Sequence, residues 1–208
     1  KYIQVSTPEV YGNIAQNKKE CMDFYPSTPY ANSRASCDMH LYSYYKEYNF
    51  PVIFTRSANV YGPRQQLYRI IPKTIFSIKN NTKLELHGNG VSERSFIYID
   101  DVVRGTYLIA EKGEIGQTYH MSTNRIISIK NLVKTICNIM KKDFNELIIN
   151  VDERSGKDLF YKLNSNKIRK KFSWNNLIKL EDGINEVLNW MNDDFKALKK
   201  HKAVYLHK

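Results

Sequence analysis

Glycine is scarce in this chain, and its spacing excludes one familiar nucleotide-binding arrangement. The 208 residues include nine glycines. They do not form the Gly-rich turn that follows the first strand of a complete dinucleotide-binding half, with an acidic ribose ligand about 20 residues later. We therefore expect the sequence to lack the segment that would hold most of a dinucleotide, as though the chain began in the middle of a domain.

Cysteine is scarcer still, with three residues, and long apolar runs are absent. Cys21, Cys37 and Cys137 have no metal-ligand spacing, and an odd number argues against a disulfide framework, so a reducing cytoplasm fits best. His87 and His120 have no Cys, Asp or Glu partners at ligand spacing, and we expect no metal. No apolar run approaches the ~20 residues of a membrane span. The first residues do not have the pattern of a signal or transit peptide, so we expect no membrane partner.

Basic residues outnumber acidic ones and give a formal net charge of +11. The lysines are spread along the chain and mixed with Asn and Glu. Nucleic-acid binding would favour basic residues on one face with interleaved stacking aromatics. We interpret the excess positive charge as lysines on solvated helix faces and expect no nucleic-acid partner. The overall electrostatic field would favour an anionic small-molecule substrate.

The hydrophobic pattern predicts an alternation of strands and helices. Residues 2–5 alternate like the end of a buried strand, 30–48 form an amphipathic helix, and 50–55 are apolar almost throughout, as in a buried parallel strand. Residues 56–63 are predicted as a loop at that strand's carboxyl end, where open α/β sheets bind ligands. The other predicted elements are helix 69–79, strand 84–87, strand 95–99, helix 100–112, strand 117–121, helix 128–141, and helices near 164–171 and 180–191.

Two short segments bring together side chains that suit proton transfer. Thr7 follows the first strand, and Tyr30 opens the next helix. Arg34 comes four residues after Tyr30, so it shares the same helix face one turn further on. A hydroxyl, a phenol and a cation together can take the proton from an alcohol that is being oxidised to a ketone.

At these positions the chain resembles the extended short-chain dehydrogenase/reductase family, which contains the nucleotide-sugar epimerases and dehydratases. The likeness is carried by STPEVYG at 6–12 and YANSR at 30–34. The family has Tyr-x-x-x-Lys on the helix and, in its 4,6-dehydratases, Ser-Thr-Asp-Glu-Val-Tyr-Gly after the strand. Arg34 therefore replaces a lysine, and Pro8 replaces an aspartate.

The resemblance implies an α/β fold: the C-terminal part of a Rossmann-type parallel sheet with a smaller α/β substrate-binding lobe. Residues 1–66 would mostly be the end of the Rossmann core with its catalytic helix. Residues 67–208 would be the substrate-binding lobe, interleaved with the remaining core elements.

The resemblance also implies roles for the catalytic residues. NAD takes a hydride from C4 of the sugar while Tyr30 accepts the hydroxyl proton, and the Arg34 cation favours the phenolate. Thr7 holds the O4 position, and Glu9 matches the base that removes the C5 proton in a dehydratase. Pro8 removes the carboxylate that would protonate the leaving O6.

Further motifs match the family's cofactor and sugar-nucleotide pockets. The implied NAD-binding residues are Tyr30, Arg34 and Val60. The implied ligands of the nucleotide-diphosphate sugar are Asn59, Arg69, Glu85, His87, Arg94 and Arg154, the last two as guanidinium clamps on the diphosphate. The helix that carries Tyr30 is expected to form a homodimer.

Three functions stay open on the sequence. Overall similarity favours an NAD-dependent 4,6-dehydratase-like enzyme that oxidises C4 and eliminates water across C5–C6. Pro8 favours a nucleotide-sugar 4-epimerase, which needs no acid at that position. The lack of a Gly-rich turn favours a non-catalytic remnant that binds sugar nucleotides or dimerises.

Overall fold

The computed structural model describes residues 1–152, 160–201 and 203. It divides into two compact units whose segments alternate along the chain. The first unit comprises the described residues of 1–60, 92–126 and 160–177, and the second those of 61–91, 127–152 and 178–203. The α/β class that the sequence predicts is confirmed.

The elements follow one another in the order expected for an α/β chain. The strands are β1 (Tyr2–Ser6), β2 (Ile14–Lys18), β3 (Val52–Ser57), β4 (Asn59–Tyr61), β5 (Leu84–His87), β6 (Glu93–Arg94), β7 (Phe96–Tyr98), β8 (Thr118–Met121), β9 (Ile127–Ser128), β10 (Ile148–Val151) and β11 (Phe160–Leu163). The helices are α1 (Pro29–Tyr48), α2 (Ile70–Lys79), α3 (Ile99–Lys112), α4 (Ile129–Ile139), α5 (Phe144–Leu147), α6 (Asn166–Phe172), α7 (Leu180–Asp193) and α8 (Phe195–Leu198). Short 3-10 turns occupy Pro8–Tyr11 and Gly88–Gly90.

The first unit is built on a parallel sheet in the order β1–β3–β8. β3 is central, and Ile53 and Phe54 are fully buried, because a central parallel strand is covered on both faces. A core cluster that includes Ile53, Tyr119 and Trp174 packs in this unit. The parallel direction brings the carboxyl ends of all these strands to one edge. The turn Pro8–Tyr11 follows β1 at that edge.

Helix α1 begins and ends where its local sequence allows. Thr28 caps it by accepting a hydrogen bond from the Ala31 N–H at 3.1 Å, and Pro29 occupies the first turn. Asn49 ends it in the left-handed conformation at φ 52°. The helix face that carries Ala31 is buried. The helix packs on β1, on β3 and on the turn after β1.

The second unit combines a small parallel pair, β5 and β10, with helices α2, α4 and α7 packed on one another. Ser128 caps α4 by accepting a hydrogen bond from the Asn131 N–H at 3.2 Å, so the helix starts within a residue of the predicted position 128. The helices bury apolar faces that include Ile71, Ile75, Leu132, Ile136, Ile184 and Val187.

The prediction of a loop at 56–63 is partly wrong. β3 continues through Ser57, and β4 starts at Asn59. The polar side chain of Arg56 breaks the apolar pattern, but its backbone still pairs with His120 on β8. β2, β10 and β11 are also absent from the sequence prediction. They are short, and β2 has the sequence IAQNK. Apolar and polar residues do not alternate regularly enough in it to indicate a strand.

Candidate active site

The turn after β1 holds the predicted proton-transfer hydroxyl. Thr7 is buried and caps the turn, since its Oγ1 accepts a hydrogen bond from the Glu9 N–H at 3.3 Å. Pro8 takes the first position, where its fixed φ and missing N–H are tolerated. Gly12 ends the turn at φ +71°, and a Cβ there would lie 2.2 Å from the Tyr25 carbonyl oxygen, so this position requires glycine.

The first turns of α1 carry the predicted phenol and cation. Tyr30 is 56% exposed, so its hydroxyl is open to a bound molecule. Arg34 is half-buried, and its guanidinium donates a hydrogen bond to the carbonyl oxygen of Val5 near the end of β1. Ala35 shares a core cluster with Val10 of the turn. The packing therefore brings the start of α1 and the Thr7 turn to the same edge of the sheet.

Asn59, Val60 and Arg94 also belong to the first unit. The Asn59 N–H donates to the Ser95 carbonyl oxygen at 3.0 Å, which places Asn59 on the segment beside Arg94. Arg94 is buried, and its Nη1 donates to the Glu93 carbonyl oxygen at 2.8 Å. Val60 is partly buried against the core cluster. Two of the predicted substrate ligands thus lie on neighbouring segments.

The other predicted substrate ligands belong to the second unit, apart from Arg154, which lies outside the described residues. Arg69 is the exposed N-cap of α2, with its guanidinium 5.3 Å from the centre of the Tyr68 ring. Glu85 is exposed on β5. His87 ends that strand, and its Nδ1 donates to the Asp152 carbonyl oxygen at 3.0 Å.

A buried polar network that the sequence pattern does not indicate lies next to the turn. Asp38 on α1 and Arg56 on β3 are both 0% exposed and form an ion pair of 2.8 Å. Asp38 also accepts hydrogen bonds from Ser6 Oγ at 2.5 Å and from Gln4 Nε2 at 3.3 Å. Buried charges need such partners because removing either one leaves the other uncompensated. The carboxylate therefore ties α1 to both β1 and β3.

The network continues from Arg56 to β8. Arg56 Nη1 donates to Tyr11 Oη at 2.6 Å, and Tyr11 Oη lies 2.8 Å from His120 Nε2. Tyr11 Oη also lies 3.4 Å from the Cys21 carbonyl oxygen, which can accept its hydrogen. Whichever of the two side chains donates, the hydrogen bond between Tyr11 and His120 joins the turn after β1 to β8.

Burial controls the protonation of both rings. Burial first, and then the charge of Arg56, lowers the pKa of His120 to about 3. Burial also raises the pKa of Tyr11 to about 12, although Arg56 opposes that change. Both side chains therefore stay neutral near neutral pH.

Replacing His120 should flatten the acid dependence of stability. The unfolded histidine binds a proton below its ordinary pKa of 6.5, whereas the folded one does so only near 3. Its contribution is therefore complete above pH 6.5 and lost on acidification towards pH 3, with a slope approaching ~1.4 kcal/mol per pH unit. His120→Gln keeps a hydrogen-bonding group for Tyr11 but does not titrate, so urea unfolding across this window should show a smaller loss.

The exposed His201 provides the matched control, because its side chain faces water. His201→Gln should keep the parental slope. An acid dependence that is the same for His120→Gln and for the parent would contradict the assignment of a neutral, buried imidazole.

Within residues 1–152, 160–201 and 203, no three His, Cys, Asp or Glu side chains are grouped so that they could hold a metal ion. Among the helices of the same residues, none has both the length and the apolarity needed to cross a membrane. Cys21, Cys37 and Cys137 are free thiols.

The parallel sheet, the Thr7 turn at its carboxyl edge and the Tyr30 helix define the class of the Rossmann-type nucleotide-sugar epimerases and dehydratases, the extended short-chain dehydrogenases/reductases. A family model described as GDP-mannose 4,6 dehydratase matches residues 1–187, and the chain belongs to this family. The family resemblance in the sequence is thereby confirmed.

Individual relatives agree with that assignment. The dTDP-D-glucose 4,6-dehydratase of Mus musculus is 36% identical over 201 residues, which cover 94% of this chain and 56% of the mouse protein. The crystal structure of DesIV, a dTDP-glucose 4,6-dehydratase from Streptomyces venezuelae with NAD and TYD bound, has a TM-score of 0.90 at 28% identity and covers 94% of this chain and 61% of its own.

A third relative has a different reaction in its name. The UDP-glucose 4-epimerase of Thermotoga maritima, solved with UDP-glucose, has a TM-score of 0.86 at 26% identity and covers 93% of this chain and 63% of its own. The chain thus spans a little more than half the length of the relatives it matches.

Proposed function

We propose that this chain is part of an NAD-dependent nucleotide-sugar 4,6-dehydratase-like enzyme, which oxidises the sugar at C4 and eliminates water across C5–C6. The observation that carries the proposal is the packing of the Tyr30 helix on the Thr7-capped turn at the carboxyl edge of a parallel sheet. Open α/β sheets bind their ligands at this edge. The names of the mouse and Streptomyces relatives support the same reaction.

Tyr30, Arg34 and Val60 would hold part of the NAD, which when bound supplies the acceptor for a hydride from C4. These side chains fit part of a bound NAD, because the Tyr30 phenol is exposed and the Arg34 cation lies one turn away on the same helix face. Most other contacts to the dinucleotide would come from a Gly-rich segment, which these residues do not contain.

The side chains of the first unit would move the protons. Tyr30 takes the O4 proton as the hydride leaves C4. Thr7 Oγ1 accepts from the Glu9 N–H, so its own hydroxyl hydrogen can be donated to O4 and hold that oxygen in place. The C4 ketone acidifies the C5 proton, which Glu9 removes. O6 leaves as hydroxide and takes a proton from solvent to become water, since Pro8 has none to give. The hydride taken from C4 would be returned to C6 and a solvent proton to C5, so the net change is the loss of one water.

The proposed substrate is a nucleotide-diphosphate sugar. Arg94 would clamp the diphosphate, since a guanidinium matches two phosphate oxygens at once. Asn59 on the adjacent segment would hydrogen-bond near the same group. The family resemblance assigns further substrate contacts to Arg69, Glu85, His87 and Arg154, and these stay predictions. The names of the relatives support dTDP- and UDP-sugars as the first substrates to test.

Pro8 favours a second candidate, a nucleotide-sugar 4-epimerase. It is buried at the first position of the turn, and its side chain has no proton to give to the leaving O6. An epimerase needs no acid there, because it returns the hydride to the opposite face of C4. Glu9 favours the dehydratase, since epimerisation at C4 does not require loss of the C5 proton.

Deuterated water separates these two reactions. The longest natural polypeptide that contains this sequence is incubated with dTDP-glucose or UDP-glucose, and the products are followed by NMR. We expect deuterium at C5 together with loss of O6, because Glu9 removes the C5 proton and solvent returns it. Inversion at C4 without exchange at C5 would establish the epimerase and leave Glu9 without a catalytic role.

We also propose a homodimer through α1. This helix exposes Tyr44 by 45% and Tyr48 by 69%, and their neighbouring rings form an aromatic surface that a second copy would cover. The three free cysteines suit the reducing cytoplasm that we propose for the protein.

A further inference from the structure

We infer that Asp38, held by Ser6 and Arg56, is a positioning residue that sets the placement of Tyr30 relative to Thr7. This inference rests on the proposed C4 oxidation, in which those two hydroxyl groups act on one oxygen. Asp38 itself is fully buried and follows Tyr30 by about two helical turns, or ~12 Å of helix at 1.5 Å per residue. It therefore acts through the helix.

The attachment of α1 to β1 has a regular geometry. Tyr30, Arg34 and Asp38 succeed one another at intervals of one turn on the same helix face. The Arg34 guanidinium donates to the Val5 carbonyl oxygen, and the Asp38 carboxylate accepts from the side chain of Ser6. Two successive turns of the helix are thus fastened to the last residues of β1, which fixes where the next turn, with Tyr30, lies.

The contact between Asp38 and β1 lies directly beside the proposed site. Ser6 immediately precedes Thr7, so the hydrogen bond from Ser6 Oγ to Asp38 Oδ2 at 2.5 Å joins the helix to the neighbour of the reacting hydroxyl. Arg56, which lies on β3, donates to the same carboxylate oxygen through its Nη2 at 2.8 Å. Gln4 Nε2 binds the other oxygen at 3.3 Å, so both oxygens of Asp38 are engaged.

A hydrogen bond that only stabilises the fold and one that positions reacting groups have different kinetic signatures. Loss of fold stability lowers the amount of active protein and the unfolding midpoint. A small displacement of Tyr30 from Thr7 instead slows the chemical step, while substrate binding elsewhere is unchanged. Turnover should therefore fall at constant KM.

Ser6→Ala tests the inference with little disturbance, since it removes one hydroxyl next to Asp38. In the longest natural polypeptide that contains the chain, we expect kcat to fall about tenfold, the equivalent of one hydrogen bond, with KM unchanged. Ser6→Thr restores the hydroxyl and should restore kcat. Thr135→Ala is the matched control, because the Thr135 hydroxyl is exposed and donates to its own helix at the Asn131 carbonyl oxygen.

Amide hydrogen exchange provides a readout that does not depend on activity. Ser6→Ala should speed exchange of the Glu9 amide, which donates to Thr7 Oγ1, and of the Ala31 amide, which donates to Thr28 Oγ1. If the parental protein acts on no nucleotide sugar, the proposed function is overturned. The exchange rates of these two amides would still show whether Ser6 and Asp38 order this part of the structure. The inference is overturned if Ser6→Ala leaves both kcat and exchange as in the parent.

Discussion

Tyr30→Phe should lower the turnover of the full enzyme by ~10²–10⁴-fold, the usual worth of a positioned acid–base group. The substitution keeps the ring and removes only the hydroxyl that accepts the O4 proton. Tyr30 is 56% exposed in the first turn of α1, so the fold should tolerate the change. Steady-state kinetics with the nucleotide sugar that proves to be the substrate measure the loss.

Tyr107 offers a matched control in the same unit. It is an exposed tyrosine on α3, and its hydroxyl donates to Glu111 at 2.7 Å on the same helix. Tyr107→Phe should leave turnover unchanged. If Tyr30→Phe were as active as Tyr107→Phe, Tyr30 would have no part in the proton transfer.

Arg56→Met should destabilise the chain by about 3–5 kcal/mol, the cost of breaking a buried ion pair by removing one partner. The substitution leaves the Asp38 carboxylate without its cation in a place that is 0% exposed. It also removes the donor to Tyr11 Oη at 2.6 Å. Urea unfolding, followed by circular dichroism, gives the change in the free energy of unfolding.

A surface ion pair shows whether burial is the cause. Lys142 and Glu146 are four residues apart in the sequence and form an ion pair of 3.2 Å, with side-chain exposures of 34% and 67%. Lys142→Met should cost less than ~0.5 kcal/mol, because solvent screens exposed pairs. Equal losses for Arg56→Met and Lys142→Met would show that the buried network does not hold α1 to the sheet.

The sequence predicts the elements of the site well because local signals coincide there. Thr28 and Pro29 mark the start of α1, and the apolar run that begins near Val52 marks the central strand. The spacing of Tyr30 and Arg34 follows from helix geometry alone. These features depend on neighbours in the chain, so a single sequence is sufficient to find them.

The buried network could not be predicted in the same way. Asp38 and Arg56 look like surface charges in the sequence, and only the three-dimensional packing of α1 on β3 brings them to 2.8 Å. One available signal was the position of Arg56 directly after an apolar strand. His120 similarly lies within β8, but its partner Tyr11 is far away in the sequence.

Arg34 shows a second limit of local reasoning. Helix spacing places it on the Tyr30 face, whereas the bond to the Val5 carbonyl oxygen depends on how α1 packs on β1. A planar guanidinium on a long stem can bind a carbonyl oxygen in a geometry different from that of an ammonium group. Arg34 thus fastens the helix to β1 in addition to its proposed electrostatic role.

The most direct test of the account is the fate of the hydrogen at C4. The longest natural polypeptide that contains this sequence is supplied with NAD and with dTDP-glucose that carries deuterium at C4, and the product is examined by NMR. We predict that the deuterium leaves C4 and appears at C6 of a 4-keto-6-deoxy sugar. Deuterium that remains entirely at C4, in the starting sugar or in its 4-epimer, would contradict the proposed dehydratase.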